Sequence, residues 1–323
     1  MRCSRRLIGA ALAVLLASCA ARPPALDLDG WQAPLGRQHP LTGRIWDAPA
    51  ATFRAPAALL ARLAGARYVL LGERHDNPDH HRAQAAILRG LLEAGRRPAV
   101  VFEMFTLDDA PVIARHLAAA PRDARGLADA VNWRQSGWPD WSHYEPIAQA
   151  ALDAGLPIVA ANLPPATARA LARGQRAALP DGLAERYHLD RPLPGDAQAA
   201  LTEEIHRAHC GHLPVERLDG MVLAQRARDA MLADRMLTAG GDGAVLIAGA
   251  GHVRTDLGVP LYLRARAPDA SVAAVGPLEV EDARTEPAHY AADFGGRLPF
   301  DWVWFTPRLD RGDPCAHFRR PQS

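Results

Sequence analysis

A chain of 323 residues that is 49% hydrophobic and 23% charged is long enough for a large core in one domain or two small ones. A formal net charge of +1 gives no bulk electrostatic reason to expect nucleic acid or another polyanion as partner. The glycines and prolines are spread along the chain, so no long low-complexity segment stands out.

Arg2, Arg5 and Arg6 precede an apolar stretch from Leu7 to Ala17, which is too short to span a bilayer. Residues 1–18 therefore read as an export signal. Leu16-Ala-Ser-Cys19 resembles the lipobox of bacterial lipoproteins, in which the cysteine is lipidated and begins the mature chain. The alternative is an ordinary secretory signal that happens to carry a cysteine. Several acyl chains at roughly 0.8 kcal/mol per buried CH₂ would hold the protein firmly on a membrane. Ala20, where Asp is absent, favours the outer membrane facing the periplasm by resemblance to enterobacterial sorting. Residues 19–40 read as the lipidated tether.

Ile45 and Trp46 suggest an edge strand, and 55–65 carries apolar residues at helical spacing. Tyr68-Val-Leu-Leu-Gly-Glu-Arg-His-Asp76 reads as a buried parallel strand ending in a polar cluster. A helix from Asp79 to Ala94 follows, with Asp79 as cap and Gly95 as stop. The strand Ala99–Glu103 then completes a βαβ unit. Residues 107–155 look helical, interrupted by the tryptophan loop Trp133-Arg-Gln-Ser-Gly-Trp-Pro-Asp-Trp141. Pro157–Ala161 is another buried strand, and 163–243 reads as a large helical insertion covering one face as a lid. Strands are expected at 244–248, 271–275 and 302–305, and 311–323 is a tail. The expected fold of residues 41–310 is a three-layer α/β domain, with a mainly parallel sheet, helices on both faces and that insertion.

Gly72-Glu-Arg-His75 and Gly249-Ala-Gly-His252 share a G-x-x-H pattern after a buried strand, and Glu103 ends a third. Open α/β sheets place their sites at these carboxyl ends. Neighbouring strands lie about 4.8 Å apart, so Glu73, His75, Glu103 and His252 are expected in one crevice. Their mixed N/O donors suit a divalent metal, and the same groups suit acid–base hydrolysis. The bland reading makes them caps and braces of the loops. At most one of the neighbours His80 and His81 faces the site, with Gln84 sharing the face of His80. Gln225 and Asp229 share a helix face. Of four cysteines, Cys3 and Cys19 fall in the leader, which leaves Cys210 and Cys315 to pair in an exported chain. A ligand role for Cys210 between His209 and His212 is the sharper alternative.

Leu71-Gly-Glu-Arg-His-Asp-Asn-Pro-Asp-His-His81, Val101-Phe-Glu-Met104, Asp219-Gly-Met-Val-Leu-Ala-Gln225 and Gly249-Ala-Gly-His252 together resemble the ChaN-like haem-binding lipoproteins, over roughly residues 40–310. The G-x-x-H pair is shared with the wider Tiki/TraB superfamily, which includes metal-dependent proteases and erythromycin-esterase-like hydrolases. The resemblance implies haem binding linked to haem and iron uptake, and admits a homodimer with two haems face to face. Haem needs an apolar slot, axial ligands and cations for its propionates. Tyr144 and His143, beside the tryptophan loop, are candidate ligands, and Arg134 and Arg74 candidate propionate partners. The alternative function is a metal-dependent hydrolase using Glu73, His75, Glu103 and His252.

Overall fold

A computed structural model describes residues 26, 28, 30–312 and 315. The export signal and Cys19 lie outside the described residues, as does most of the 311–323 tail. The strands are β1 (Ile45–Asp47), β2 (Thr52–Arg54), β3 (Tyr68–Glu73), β4 (Ala99–Thr106), β5 (Ile158–Asn162), β6 (Ala244–Gly249), β7 (Val272–Glu279) and β8 (Trp302–Thr306). The helices of the first half are α1 (Pro56–Ala64), α2 (Pro78–Glu93), α3 (Ala110–Ala119), α4 (Ala124–Ala130) and α5 (Glu145–Asp153). Those of the second half are α6 (Pro165–Ala172), α7 (Leu183–Tyr187), α8 (Ala197–Ala208), α9 (Val215–Thr238), α10 (Val259–Arg266) and α11 (Pro287–Ala291).

One sheet runs in the order β2-β1-β8-β7-β3-β6-β4-β5. Pairing is parallel from β8 to β5, and antiparallel where β1 meets β8 and β2. Buried strands alternate their side chains between two cores. Tyr68 and Leu70 pack with Ala230, Leu232 and Leu263 on one face; Val69 and Leu71 pack with Leu59, Ile87 and Ile147 on the other. The result is a three-layer α/β fold.

The structure differs from the sequence expectations at three places. Ile45–Asp47 is an inner strand, because the three-residue β2, too short to show alternation, forms the edge beyond it. Strand order is open from the sequence, and β6 enters between β3 and β4. The 163–243 segment is not an appended lid, since α9 buries Ala227, Ala230, Leu232, Ala233 and Met236 in the main core. Its alanines let the helix lie close over the sheet. Finally, the expected tether is in part a wall of the domain. Ala33 is buried, and the buried carboxylate of Asp79 accepts the backbone N–H of Gln32 (2.9 Å) and Ala33 (2.8 Å). Asp79 is thereby engaged with that segment, and Asn77 caps α2 by accepting from the Asp79 N–H at 3.0 Å.

Candidate functional site

The chemistry gathers where β3, β6 and β4 end side by side. Glu73 stands opposite Gly249 in the β3–β6 register. Pairing of β4 with β6 stops at Phe102–Ile247, and Glu103 is the next residue, although β4 itself runs on to Thr106. Its Oε2 accepts the Gly249 N–H at 2.7 Å. A Cβ built on Gly249 would stand 2.9 Å from His75 Nε2 and 3.6 Å from Glu103 Oε2. The glycine therefore lets both groups approach the same stretch of backbone.

Two carboxylate–imidazole systems meet there. In the first, His75 Nδ1 and the Tyr144 hydroxyl both donate to Glu73 Oε1, each at 2.7 Å. Gln84 donates to Glu73 Oε2 at 2.8 Å, and His81 Nδ1 lies 3.3 Å from it. Burial opposes the charge on Glu73, but the His81 and His75 imidazoles outweigh it and hold the carboxyl well below its ordinary range. His75 is half-buried; burial lowers its basicity, while Glu73 and Glu103 more than restore it and leave it raised. In the second system, Asp229 Oδ1 lies 2.6 Å from His252 Nδ1, and His252 Nε2 lies 3.1 Å from Glu103 Oε1. Arg228 donates to the same Glu103 oxygen at 2.6 Å and to Asn162 Oδ1 at 3.1 Å. Burial disfavours each charge, but mutual attraction wins at two of them: His252 is raised to about 9 and Glu103 lowered to about 2. At Asp229 burial prevails and its carboxyl is raised.

Glu73, His75, Glu103 and His252 thus share one crevice at one end of the sheet. They occupy it as ion pairs, and among the described residues no three His, Cys, Asp or Glu side chains are arranged to hold a metal ion. His81 faces Glu73, while His80 braces the fold, accepting the Arg74 N–H at 2.8 Å and donating to Thr306 Oγ1 at 2.9 Å. Gln225 lies 3.2 Å from His252 Nδ1 and 3.4 Å from Asp229 Oδ2.

The haem candidates separate. Tyr144 is fully buried with its hydroxyl on Glu73, and burial followed by the Glu73 charge pushes the phenol far above its ordinary value. A phenol held this way is no ready tyrosinate. His143 stacks on His81 with centroids 5.1 Å apart, and its buried Nδ1 has no hydrogen-bond partner among the described residues. Burial and then His81 lower its basicity. Trp133 and Trp141 are core residues around Tyr144 and Phe105. Trp138 is the partly exposed one, its ring edge-on to His75 at 4.8 Å between centroids. A cleft of about 700 Å³ opens along this loop, walled in part by Trp133, Trp138, Asn132 and the exposed Arg125 and Arg134. Arg74 is taken by Glu279 (2.7 Å), Asp76 (2.8 Å) and Asp310 (2.9 Å), so it ties the turn after β3 to the end of β7 and the segment after β8 and does not line the cleft.

Cys210 and Cys315 are joined, S–S 2.04 Å, so the Cys210 sulfur is not available as a ligand beside His209. Sequence reasoning passed over Arg228. Its one signal is a charge three residues after Gln225, on a helix whose neighbours are mostly alanine and other apolar residues.

The family described as haem-binding uptake, Tiki superfamily, ChaN matches residues 59–263. No curated protein matches the chain. Among solved structures, ChaN of Campylobacter jejuni, whose structure reports cofacial haem binding, aligns with a TM-score of 0.62 and 21% identity over 80% of this chain and 95% of that one. That likeness shows a shared fold. An erythromycin esterase mutant in its open conformation aligns at a TM-score of 0.43 and 15% identity, covering 79% of this chain and 94% of that one. The type III effector HopBA1 aligns at 0.42 and 11% identity, covering 86% and 98%.

Proposed function

The chain belongs to the ChaN haem-binding uptake family of the Tiki superfamily, and on that premise we propose that it binds haem beside the tryptophan loop, whose Trp138 stands between the cleft and His75. One observation carries the reading. The family match spans 59–263, which takes in both G-x-x-H segments, the tryptophan loop and α9.

The residues present fit the group. A cleft of about 700 Å³ lies in the range of roughly 300–1,000 Å³ usual for cofactor sites. Trp138 offers an apolar ring, and Arg134 and Arg125 are cations for propionates. His75, which borders the cleft only through Trp138, is the axial candidate favoured over the buried Tyr144 hydroxyl and over His143. Its Nδ1 donates to a buried carboxylate, which fixes the ring and makes Nε2 the better donor. Tyr144 and Gln84 hold that carboxylate in turn. Bound haem would supply a redox-active iron; the chain's part is to orient it and shield it from water.

The wider reading is a lipoprotein anchored through Cys19 in the outer membrane facing the periplasm, holding haem for iron uptake, with a homodimer as one form. No helix among the described residues is long and apolar enough to cross a membrane. The test is a haem titration of the purified protein followed by visible spectroscopy. A shifted Soret band that is lost in His75→Ala supports the reading, and a spectrum identical to free haem ends it.

One specific observation favours a second reading, hydrolysis. His75 and Glu73 have the relation of a general base and its orienting carboxylate. Cleavage of 4-nitrophenyl acetate that disappears in His75→Ala, with or without added divalent metal, would support it. No turnover under either condition removes it.

A further inference from the structure

A second cavity lies on the other side of the His252 system, between α8, α9 and the turn after β6, and encloses about 220 Å³. Leu201 and Ile205 of α8, Met221 of α9 and Leu257 give it apolar walls. Gln225 and Asp229 are its polar lining from α9. The opposite lining is Gly251, where an added Cβ would meet nothing within 4 Å. The open space is therefore a feature of the backbone path as well as of the side chains. The wall made by α8 is held in place just beyond its end, where Cys210 is bonded to Cys315.

We propose that this cavity is a binding site for a small uncharged molecule with an apolar body and one hydrogen-bond donor. Size sets the first limit. A dry apolar cavity of about 150 Å³ accepts benzene, so this one takes a ring with a few added atoms. Charge sets the second. The cation at the mouth, Arg254, is already paired with Asp256 at 2.8 Å and Glu204 at 3.0 Å. Asp229 is already paired with His252. Glu204 is shared by Arg254 and Arg207, and His209, the remaining titratable group of the lining, is hydrogen-bonded through Nδ1 to the Ile205 carbonyl at 2.7 Å, so the charged groups of these walls already have partners among the described residues. The donor requirement comes from Asp229 itself. It is 1% exposed; Oδ1 serves His252, while among the described residues Oδ2 has the Gln225 amide, at a long 3.4 Å. A hydroxyl reaching Oδ2 would complete the hydrogen bonding of a buried carboxylate. Such a guest would sit against the residue that orients His252, so its occupancy would be felt at Glu103 without contact with His75.

Calorimetric titration of the full chain with 4-methylphenol and with toluene tests this. The expected result is saturable binding of 4-methylphenol, about tenfold or more tighter than toluene, the effect of one hydrogen bond to a charged acceptor. Gly251→Leu and Leu201→Trp fill the cavity from opposite walls. Each should weaken 4-methylphenol at least about tenfold while the far-ultraviolet dichroism stays unchanged. Absence of saturable binding by either probe, or undiminished binding in both folded filled variants, overturns the site. Toluene binding as tightly as 4-methylphenol overturns the role of Asp229 as acceptor.

Discussion

His252 faces Glu103 across 3.1 Å, and its other ring nitrogen lies 2.6 Å from Asp229, so one imidazolium is shared by two buried carboxylates. Removing a partner from such a cluster leaves an unpaired buried charge, which is more costly than losing an exposed ion pair.

The first prediction concerns pH. His252 is raised from 6.5 to about 9, so its stabilising contribution is complete below about 6.5 and is lost as pH rises through about 9. Glu103 is lowered from 4.5 to about 2, so its contribution is complete above about 4.5 and is lost as pH falls through about 2. Thermal unfolding should show a plateau between about pH 4.5 and 6.5 and a decline toward pH 9, on the order of 1–3 kcal/mol. In His252→Gln the alkaline decline should flatten. A wild-type midpoint that is constant from pH 6.5 to 9 contradicts the buried ion pair.

The second prediction separates the haem ligands. Tyr144→Phe removes one of the hydrogen bonds to Glu73 and should cost about 1–3 kcal/mol in chemical denaturation. With His75 as ligand, the haem spectrum of Tyr144→Phe should keep the position of the wild-type Soret band. A change in that variant to the spectrum of unligated haem would return the axial role to Tyr144.

The third prediction concerns the covalent link. Cys210 and Cys315 are 105 residues apart in sequence, so their bond restricts a long loop in the unfolded chain. Reduction, or Cys315→Ser, should lower stability by about 2–4 kcal/mol. Peptide mapping without reductant should recover the two cysteines in one linked fragment. Two free thiols on oxidised protein would contradict it.

The fourth prediction concerns the anchor. Labelled palmitate should enter the wild-type protein, and Cys19→Ser should leave the precursor uncleaved or release it from membranes. Wild type without label, fractionating as a soluble protein, would exclude the lipoprotein reading.

What the sequence determined by itself was the set of strand ends. Short apolar runs lead into Glu73, Glu103 and Gly249, although β4 continues through Met104 and Phe105 to Thr106, and a run with that composition is buried on both faces of a parallel sheet. That is a local property, and it placed Glu73, His75, Glu103 and His252 at one edge before any strand order was known. The partners of those residues were a different matter. Tyr144 meets Glu73 from 71 residues away, Arg228 meets Glu103 from 125, and Arg74 is neutralised by Glu279 from 205. Local periodicity carries no information about such contacts; crossover topology and close packing decide them. The insertion of β6 between β3 and β4 set Gly249 opposite Glu73, and the burial of α9 against the sheet brought Asp229 to His252. The same packing turned Trp133 and Trp141 inward and left Trp138 beside His75, because only the folded core could distinguish three tryptophans of one loop.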